Sequence, residues 1–346
     1  MDNLSHTLLG AHLSRLPAFR KISPSLAFWT AVAASNVPDV DGLLRFVSER
    51  AHLFEHRGIT HSLAGLLAIA PLVALAAAAI ARRPLRTHFL PLLALAAAGV
   101  AGHILLDVLT SWGTMILLPF SHARVSLPWL FILDVVVWAI LGIPLLRTAW
   151  RKRRGGIPVR VVRRSSQAAL AVFSVYVALC GVARERSRAV ALRQFGGDGQ
   201  PVEVLAWPSP PGPLIWTTAV RTEDQVWHRG FASVVSGGLT RIGELPTGLE
   251  DPRVQVALET ELGSTYAWFA DALYLVDVTS LRADGSYELI LGDLRFSGPF
   301  WEEVPFQLRM EIGPDFQVRD WDFRTGRLSP DTATPAPSEV TAGGRT

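Results

Sequence analysis

The sequence predicts a mainly α-helical membrane bundle, with four spans plus two short N-terminal helices, followed by a strand-rich α+β domain outside the membrane. Three observations predict it. Hydrophobic residues make up 49% of the 346-residue chain and charged residues only 18%, against about 25% charged in ordinary soluble domains. The first half holds four almost uncharged stretches, each close to the ~20 residues that a helix needs to cross a bilayer. After residue 184 these give way to short segments of alternating apolar and polar residues, the pattern of half-buried strands.

The elements follow in order. Residues 3–19 and 25–37 have helical character but are short for full spans, so they are expected as half-membrane helices packed against the bundle, where buried ends can be satisfied by protein. Met1-Asp2-Asn3 lacks the basic start of a cleavable signal peptide, and His6 interrupts the apolar part. The four expected spans are 62–81, 88–110, 127–146 and 165–183. The second is interrupted only by His103 and Asp107, and the third only by Asp134. Residues 185–328 carry the strand pattern, as in Tyr287-Glu288-Leu289-Ile290-Leu291, with a helix expected within 249–269. Residues 329–346, rich in Pro, Thr, Ala and Gly, read as a disordered tail. The chain thus divides into 1–184, 185–328 and 329–346.

The net charge of +3 comes from one place: eight basic residues and no acid lie between Arg147 and Arg164. A single juxtamembrane block is not a basic face with interleaved aromatics, so nucleic-acid binding is not expected. Together with Arg82, Arg83 and Arg86, this block sets the orientation, because basic loops stay in the cytoplasm. The chain then reads as a multi-pass protein of the bacterial inner membrane, with its strand-rich domain extracytoplasmic. Cys180, the single cysteine, excludes an intrachain disulfide framework.

Ionisable side chains in or against apolar runs are costly and by default functional. His103 and Asp107, four apart, share one helix face. His56 and His61 flank Arg57-Gly58-Ile59-Thr60 at the head of the first span, and Asp39 and Asp41 end the second short helix. With His6 these residues fall near the outer membrane face and supply the mixed nitrogen and oxygen donors of a divalent metal site. Bland alternatives stand beside each: a His–Asp hydrogen bond for 103 and 107, an interfacial anchor for 56–58, a helix stop for 36–41. Arg57 offers a planar charge for an anion. Thr60, Thr110 and Asp134 are expected as residues that orient the ligands.

The order of motifs is itself informative: Asp-Asn-Leu-Ser-His-Thr-Leu-Leu-Gly (2–10), Ser-Asn-Val-Pro-Asp-Val-Asp (35–41), Glu-His-Arg-Gly-Ile-Thr-His-Ser (55–62), Gly-His-Ile-Leu-Leu-Asp-Val-Leu-Thr-Ser-Trp-Gly-Thr (102–114) and Leu-Leu-Pro-Phe-Ser (117–121). The chain resembles the YdjM/YfhP-like family of predicted membrane-bound, metal-dependent hydrolases over residues 2 to about 140. The resemblance implies a multi-pass inner-membrane protein whose matching polar residues are His6, Asp39, Asp41, His56, His61, His103 and Asp107. More distantly, the order His…Asp…His…His-x-x-x-Asp is similar to that of zinc-dependent phospholipases C. No counterpart of their later His and Glu ligands follows Asp107, so one or two metal ions are expected rather than three.

These readings combine into an expected hydrolase with His6, Asp39, His56, His61, His103 and Asp107 as metal ligands, zinc as the first choice, and manganese or iron as alternatives. Asp41 is expected as general base and Arg57 as the group that neutralises charge on the substrate. A site at the bilayer edge points to a lipid or lipid-linked phosphoester or ester. The rival readings are a non-enzymatic membrane protein with a structural or sensory metal, and a transporter using intramembrane His and Asp, which four spans without repeated halves disfavour. The oligomeric state is not legible.

Overall fold

In a computed structural model of the chain, the described residues are 1–46, 49–197, 199–210, 212–279, 284–296, 301–303, 305–324 and 327–328. The tail expected at 329–346 lies outside them. The described residues form two compact units, one of Met1–Asp224 with His228–Glu244, the other of Gln225–Trp227 with the described residues from Leu245 on. The change of sequence character at 184 falls inside a helix of the first unit.

The first unit begins with α1 (Asn3–Leu13), whose first turn is capped by the Asp2 carboxylate accepting from the Ser5 amide at 3.1 Å. Pro24 starts α2 (Pro24–Ala34), a position where its missing N–H costs nothing. A 3-10 run over Val37–Phe46 follows, then α3 (Glu49–Glu55) and a short turn, Ile59–His61. Ser62 caps α4 (Leu63–Ile80), which pairs with α5 (Leu85–Val108). Asp134 caps α6 (Val135–Arg153), and α7 (Val159–Phe195) runs 37 residues, about 56 Å at 1.5 Å per residue.

Among the described residues, three helices are apolar and long enough to cross a membrane: α4, α5 and α7. The segment expected as a span at 127–146 is helical only from Val135. Its first part is a connection that returns to the end of α5, with the Leu127 amide bonded to the Val108 carbonyl at 2.7 Å and that of Leu130 to Leu109 at 2.9 Å. The helix it leads into runs on through Arg147, Arg151, Lys152 and Arg153. Hydropathy missed this because Leu127–Leu133 is as apolar as the helix, although Asp134 is a capping residue.

Lipid tails give apolar helices no reason to associate, so membrane helices pack through small residues. Ala70, Ala74 and Ala78 form such a stripe on α4, fully buried with Leu92, Leu95 and Ala96 of α5. Where α1, α2 and α5 meet, the backbones approach closely. A Cβ on Gly99 would stand 2.7 Å from that of Ala34, and one on Gly10 would stand 2.9 Å from the Ala31 carbonyl oxygen. This contact sets the distance between the chain leaving α2 and the last turns of α5.

The C-terminal half of α7 carries a four-stranded sheet, β1 (Pro201–Pro208), β2 (Ile215–Thr222), β3 (Val226–Ser233) and β4 (Leu239–Pro246), in that order. Ala183 packs with Ala206 and Trp216, and Ala191 and Phe195 pack with Val220. In the second unit, α8 (Pro252–Glu259) and α9 (Glu261–Phe269) replace the one helix expected there, with Thr260 ending the first and capping the second. An antiparallel sheet follows in the order β5 (Leu273–Thr279), β6 (Tyr287–Asp293), β8 (Gln307–Ile312) and β9 (Val318–Arg324). The short strands β7 (Trp301–Glu303) and β10 (Arg327–Leu328) form a separate pair.

Gly99→Val should force α5 away from α2, at a cost of about 1–3 kcal/mol, and lower the Tm of the detergent-solubilised protein. Gly197→Ala, whose added methyl meets nothing within 4 Å, should leave it unchanged. Equal Tm values for the two variants would refute the close-packing account.

Candidate metal centre

Four side chains from three separate segments converge on one point. Asp39 comes from the 3-10 run after α2, His61 from the turn before α4, and His103 and Asp107 from the last two turns of α5. Their facing atoms are His61 Nε2, His103 Nε2, Asp107 Oδ2 and Asp39 Oδ1. His61 Nε2 lies 2.9 Å from His103 Nε2, 3.1 Å from Asp107 Oδ2 and 3.4 Å from Asp39 Oδ1. His103 Nε2 lies 3.2 Å from Asp107 Oδ2 and 3.5 Å from Asp39 Oδ1. A tetrahedral ion with bonds of about 2.0–2.1 Å needs donor atoms about 3.3 Å apart. The observed separations bracket that value.

The partners on the far side of each ring fix which nitrogen faces the centre. His103 Nδ1 is 2.8 Å from the Ser35 carbonyl oxygen, which can only accept, so Nδ1 carries the hydrogen and Nε2 presents a lone pair. His61 Nδ1 is 3.0 Å from Asp41 Oδ2, so it too carries a hydrogen and leaves Nε2 to face the centre. The two facing nitrogens and two carboxylate oxygens repel unless a metal ion or a proton sits among them. His61, His103 and Asp107 are 0% exposed, so water does not screen that repulsion. Asp107 Oδ2 and Asp39 Oδ2 are buried atoms without a hydrogen bond. Two helix C-termini, of α2 and α5, also end here and favour positive charge.

The titration of the surrounding groups shows the same preference. Burial works against a charge on His61, yet hydrogen bonds to Asp107, Asp39 and Asp41 outweigh it and lift the ring to about 10. Burial opposes ionisation of Asp41, but its bonds to His56 and His61 hold it well below the usual carboxylate range. Without a metal, the carboxylates hold a proton where an ion would otherwise sit.

Around the four donors lies a layer that orients them. Asp41 accepts from His56 Nδ1 at 2.8 Å, the Arg57 amide at 3.0 Å and Thr60 Oγ1 at 2.7 Å, besides facing His61. Arg57 turns inward: Nη2 is 3.1 Å from Asp107 Oδ1, and Nη1 donates to Thr110 Oγ1 at 2.7 Å and the Asp107 carbonyl at 3.2 Å. Its φ of +62° is left-handed, a conformation costing on the order of 1–2 kcal/mol for a residue with a side chain. The Asp41 bond and the Met115 amide donating to its carbonyl at 3.0 Å hold it there. Asp107 Oδ1 is also met by the Met1 amine and by His6 Nε2 at 3.5 Å.

Of the residues read from the sequence, Asp39, His61, His103 and Asp107 form the centre. His6 stacks on the His103 ring at 3.8 Å, and His56 stands one layer out, behind Asp41. Asp134, expected to orient a ligand, instead caps α6 and accepts from the Tyr176 hydroxyl at 2.8 Å. His12 ties α1 to α6 through the Leu141 carbonyl at 2.8 Å. Sequence reasoning missed the Ser35 carbonyl, because a backbone acceptor leaves no side-chain signal.

The YdjM inner membrane protein model matches residues 1–187, which hold every residue of this centre. The "Uncharacterized protein YfhP" of Bacillus subtilis (strain 168) is 26% identical over 160 residues, covering 42% of this chain and 48% of that protein. The chain therefore spans about half the length of this curated relative. No solved structure matches. By the match over more than half its length, the chain belongs to the YdjM inner membrane protein family.

Proposed function

We propose that the protein is a membrane-bound, metal-dependent hydrolase acting on a phosphoester or ester of a lipid or lipid-linked substrate. The observation that carries the metal is the set of four donor atoms, each histidine Nε2 lying 2.9–3.5 Å from the other three and each Nδ1 bonded to an acceptor behind it. Two imidazoles and two carboxylates suit zinc first, with manganese and iron as alternatives. A divalent ion there would supply Lewis acidity, acidifying water and polarising a phosphoryl or acyl oxygen.

The chain's own groups divide the remaining work. Arg57 and His6 hold Asp107 in place; Asp41 and the Ser35 carbonyl hold the two rings. Asp39 is the donor at the open side, with 15% of its side chain exposed against 0% for the others. Substrate approach is therefore proposed past Asp39. Exposed apolar side chains occur on the same 3-10 run as Asp39 and on the turn that carries His61, among them Val40, Leu43 and Ile59, and they favour an amphiphilic substrate.

The topology proposed with this function has α6 as a fourth crossing. Its 19 residues reach about 28 Å, close to the ~30 Å hydrocarbon core. The basic α4–α5 and α6–α7 connections are then cytoplasmic, and the centre and the C-terminal sheets are outside. One observation favours a different reading: four protein donors complete a tetrahedron, as structural zinc sites do. In that reading the ion is structural or sensory and the C-terminal region is the working part.

Elemental analysis of the purified protein should find about one divalent ion per chain, and His103→Ala or Asp107→Ala should remove it while leaving the protein in the membrane fraction. A variant that keeps its metal refutes the centre. Asp41→Asn should weaken metal affinity by about 10–100-fold, read by competition with a chromogenic chelator; unchanged affinity would remove Asp41 from the orienting layer. On a panel of phosphodiester, phosphomonoester and carboxylic ester lipids, hydrolysis should stop on chelation and return with zinc. A fully metallated protein inactive across the panel would favour the structural reading.

A further inference from the structure

At the end of the bundle away from the metal centre, the first unit contains a cleft of about 570 Å³. Chain direction places it there. His6 lies near the start of α1, Asp39 follows the end of α2, and Asp107 lies in the last turn of α5. The cleft is lined by residues just after α1, at the start of α2, at the end of α6 and at the start of α7. Four cations line it, Arg15 and Arg20 on one wall and Lys152 and Arg163 on the other, with Phe19 and Phe28 supplying aromatic surface.

The charge of this cleft is uncompensated. No Asp or Glu occurs between Asn3 and Pro38, or between Val135 and Arg184. None of the four cations makes an ion pair among the described residues. Arg15 is only partly exposed, and burial pulls its guanidinium downward with no carboxylate to offset it. Cations that merely anchor a helix end reach outward into water. Here two walls from distant parts of the sequence line one volume with theirs, and Arg15 and Arg163 are half-buried there while Arg20 and Lys152 stand exposed at its rim, which leaves like charges together. An anion from outside the chain removes that penalty, and the apolar surface between the cations suits an acyl-bearing anion better than a small free one.

We propose that this cleft binds the phosphate headgroup of an anionic phospholipid, with the acyl chains lying along the apolar surface beside Phe19 and Phe28. The site is independent of the hydrolase reading: it lies at the other end of the helices and uses none of the metal-centre residues. It also accounts for the basic block between α6 and α7, which the metal chemistry does not use. Basic pockets between membrane helices on the cytoplasmic side are a recurrent way of holding acidic lipid headgroups.

The test is native mass spectrometry of the full-length protein in neutral detergent, titrated with phosphatidylglycerol or phosphatidylcholine. Phosphatidylglycerol should be retained and phosphatidylcholine not. Arg15→Gln with Arg20→Gln should weaken retention by on the order of tenfold, while Arg15→Lys with Arg20→Lys should keep it. Arg83→Gln with Arg86→Gln, on the α4–α5 connection and the first turn of α5 and outside the cleft, should have no effect. Equal retention of phosphatidylcholine, or an equal loss in the Arg83/Arg86 variant, would overturn the proposal. So would displacement of the lipid by equimolar inorganic phosphate, which would make this a free-anion site. If the Arg15/Arg20 variant fails to fold, Lys152→Gln with Arg163→Gln on the facing wall should show the same loss, and undiminished retention by that variant overturns the proposal.

Discussion

The first unit is organised around a buried meeting of two imidazoles and two carboxylates, a set of groups that a metal ion or a proton holds together. His61 and His103 point Nε2 at each other across 2.9 Å, each with its other ring nitrogen bonded to an acceptor behind it, and two carboxylate oxygens close the same space. Folding brings these groups from residues 39, 61, 103 and 107 into a volume without water. The outer layer keeps them from escaping it. Asp41 accepts from three neighbours besides facing His61, and Arg57 holds a strained backbone to reach Asp107 and its carbonyl together. Strain of this kind persists only where the surroundings over-determine the conformation.

The means of assembly is close packing of small residues. α5 is the spine: Leu92, Leu95 and Ala96 receive the alanine stripe of α4, Gly99 receives Ala34 of α2, and His103 and Asp107 follow within two turns. The geometry of the centre is thus inherited from helix contacts one and two turns below it. Larger residues at 34 or 99 would separate Ser35 from His103, and the ring would lose the bond that fixes its tautomer. Packing and chemistry are the same constraint at these positions.

How much of this was legible in the sequence differs from residue to residue. His103 and Asp107 were readable because an i, i+4 pair of ionisable groups in an apolar run has few cheap explanations. Asp39 and His61 were readable as candidates, but nothing in their spacing separates them from Asp41 and His56, which stand one layer out. That distinction depends on how the 3-10 run after α2 lies against the turn before α4, a tertiary fact. Asp134 was misplaced for a different reason. The connection Leu127–Leu133 is apolar because it packs back on the end of α5, so hydropathy fused it with α6 and hid a helix cap. The strand-rich character beyond α7 was visible in the alternation. The break at Thr260 was not, because the flanking segments share helical composition.

Metal binding at this centre would be coupled to folding. The chain has a single cysteine and so no internal disulfide, and in lipid the hydrophobic effect does not draw apolar helices together. An ion held by donors from after α2, before α4 and the end of α5 would therefore be a cross-link between three segments that otherwise meet through methyl-sized contacts. Because the donors converge only in the packed bundle, such an ion would bind the folded state and not the separated helices. Its binding free energy would then add to the stability of the bundle in proportion to the logarithm of free metal over Kd. The two proposals divide along the bundle by the same logic. The end that carries the buried carboxylates would gather positive charge from an ion, and the end that carries only cations, between Arg15 and Arg163, would find its negative charge in the membrane.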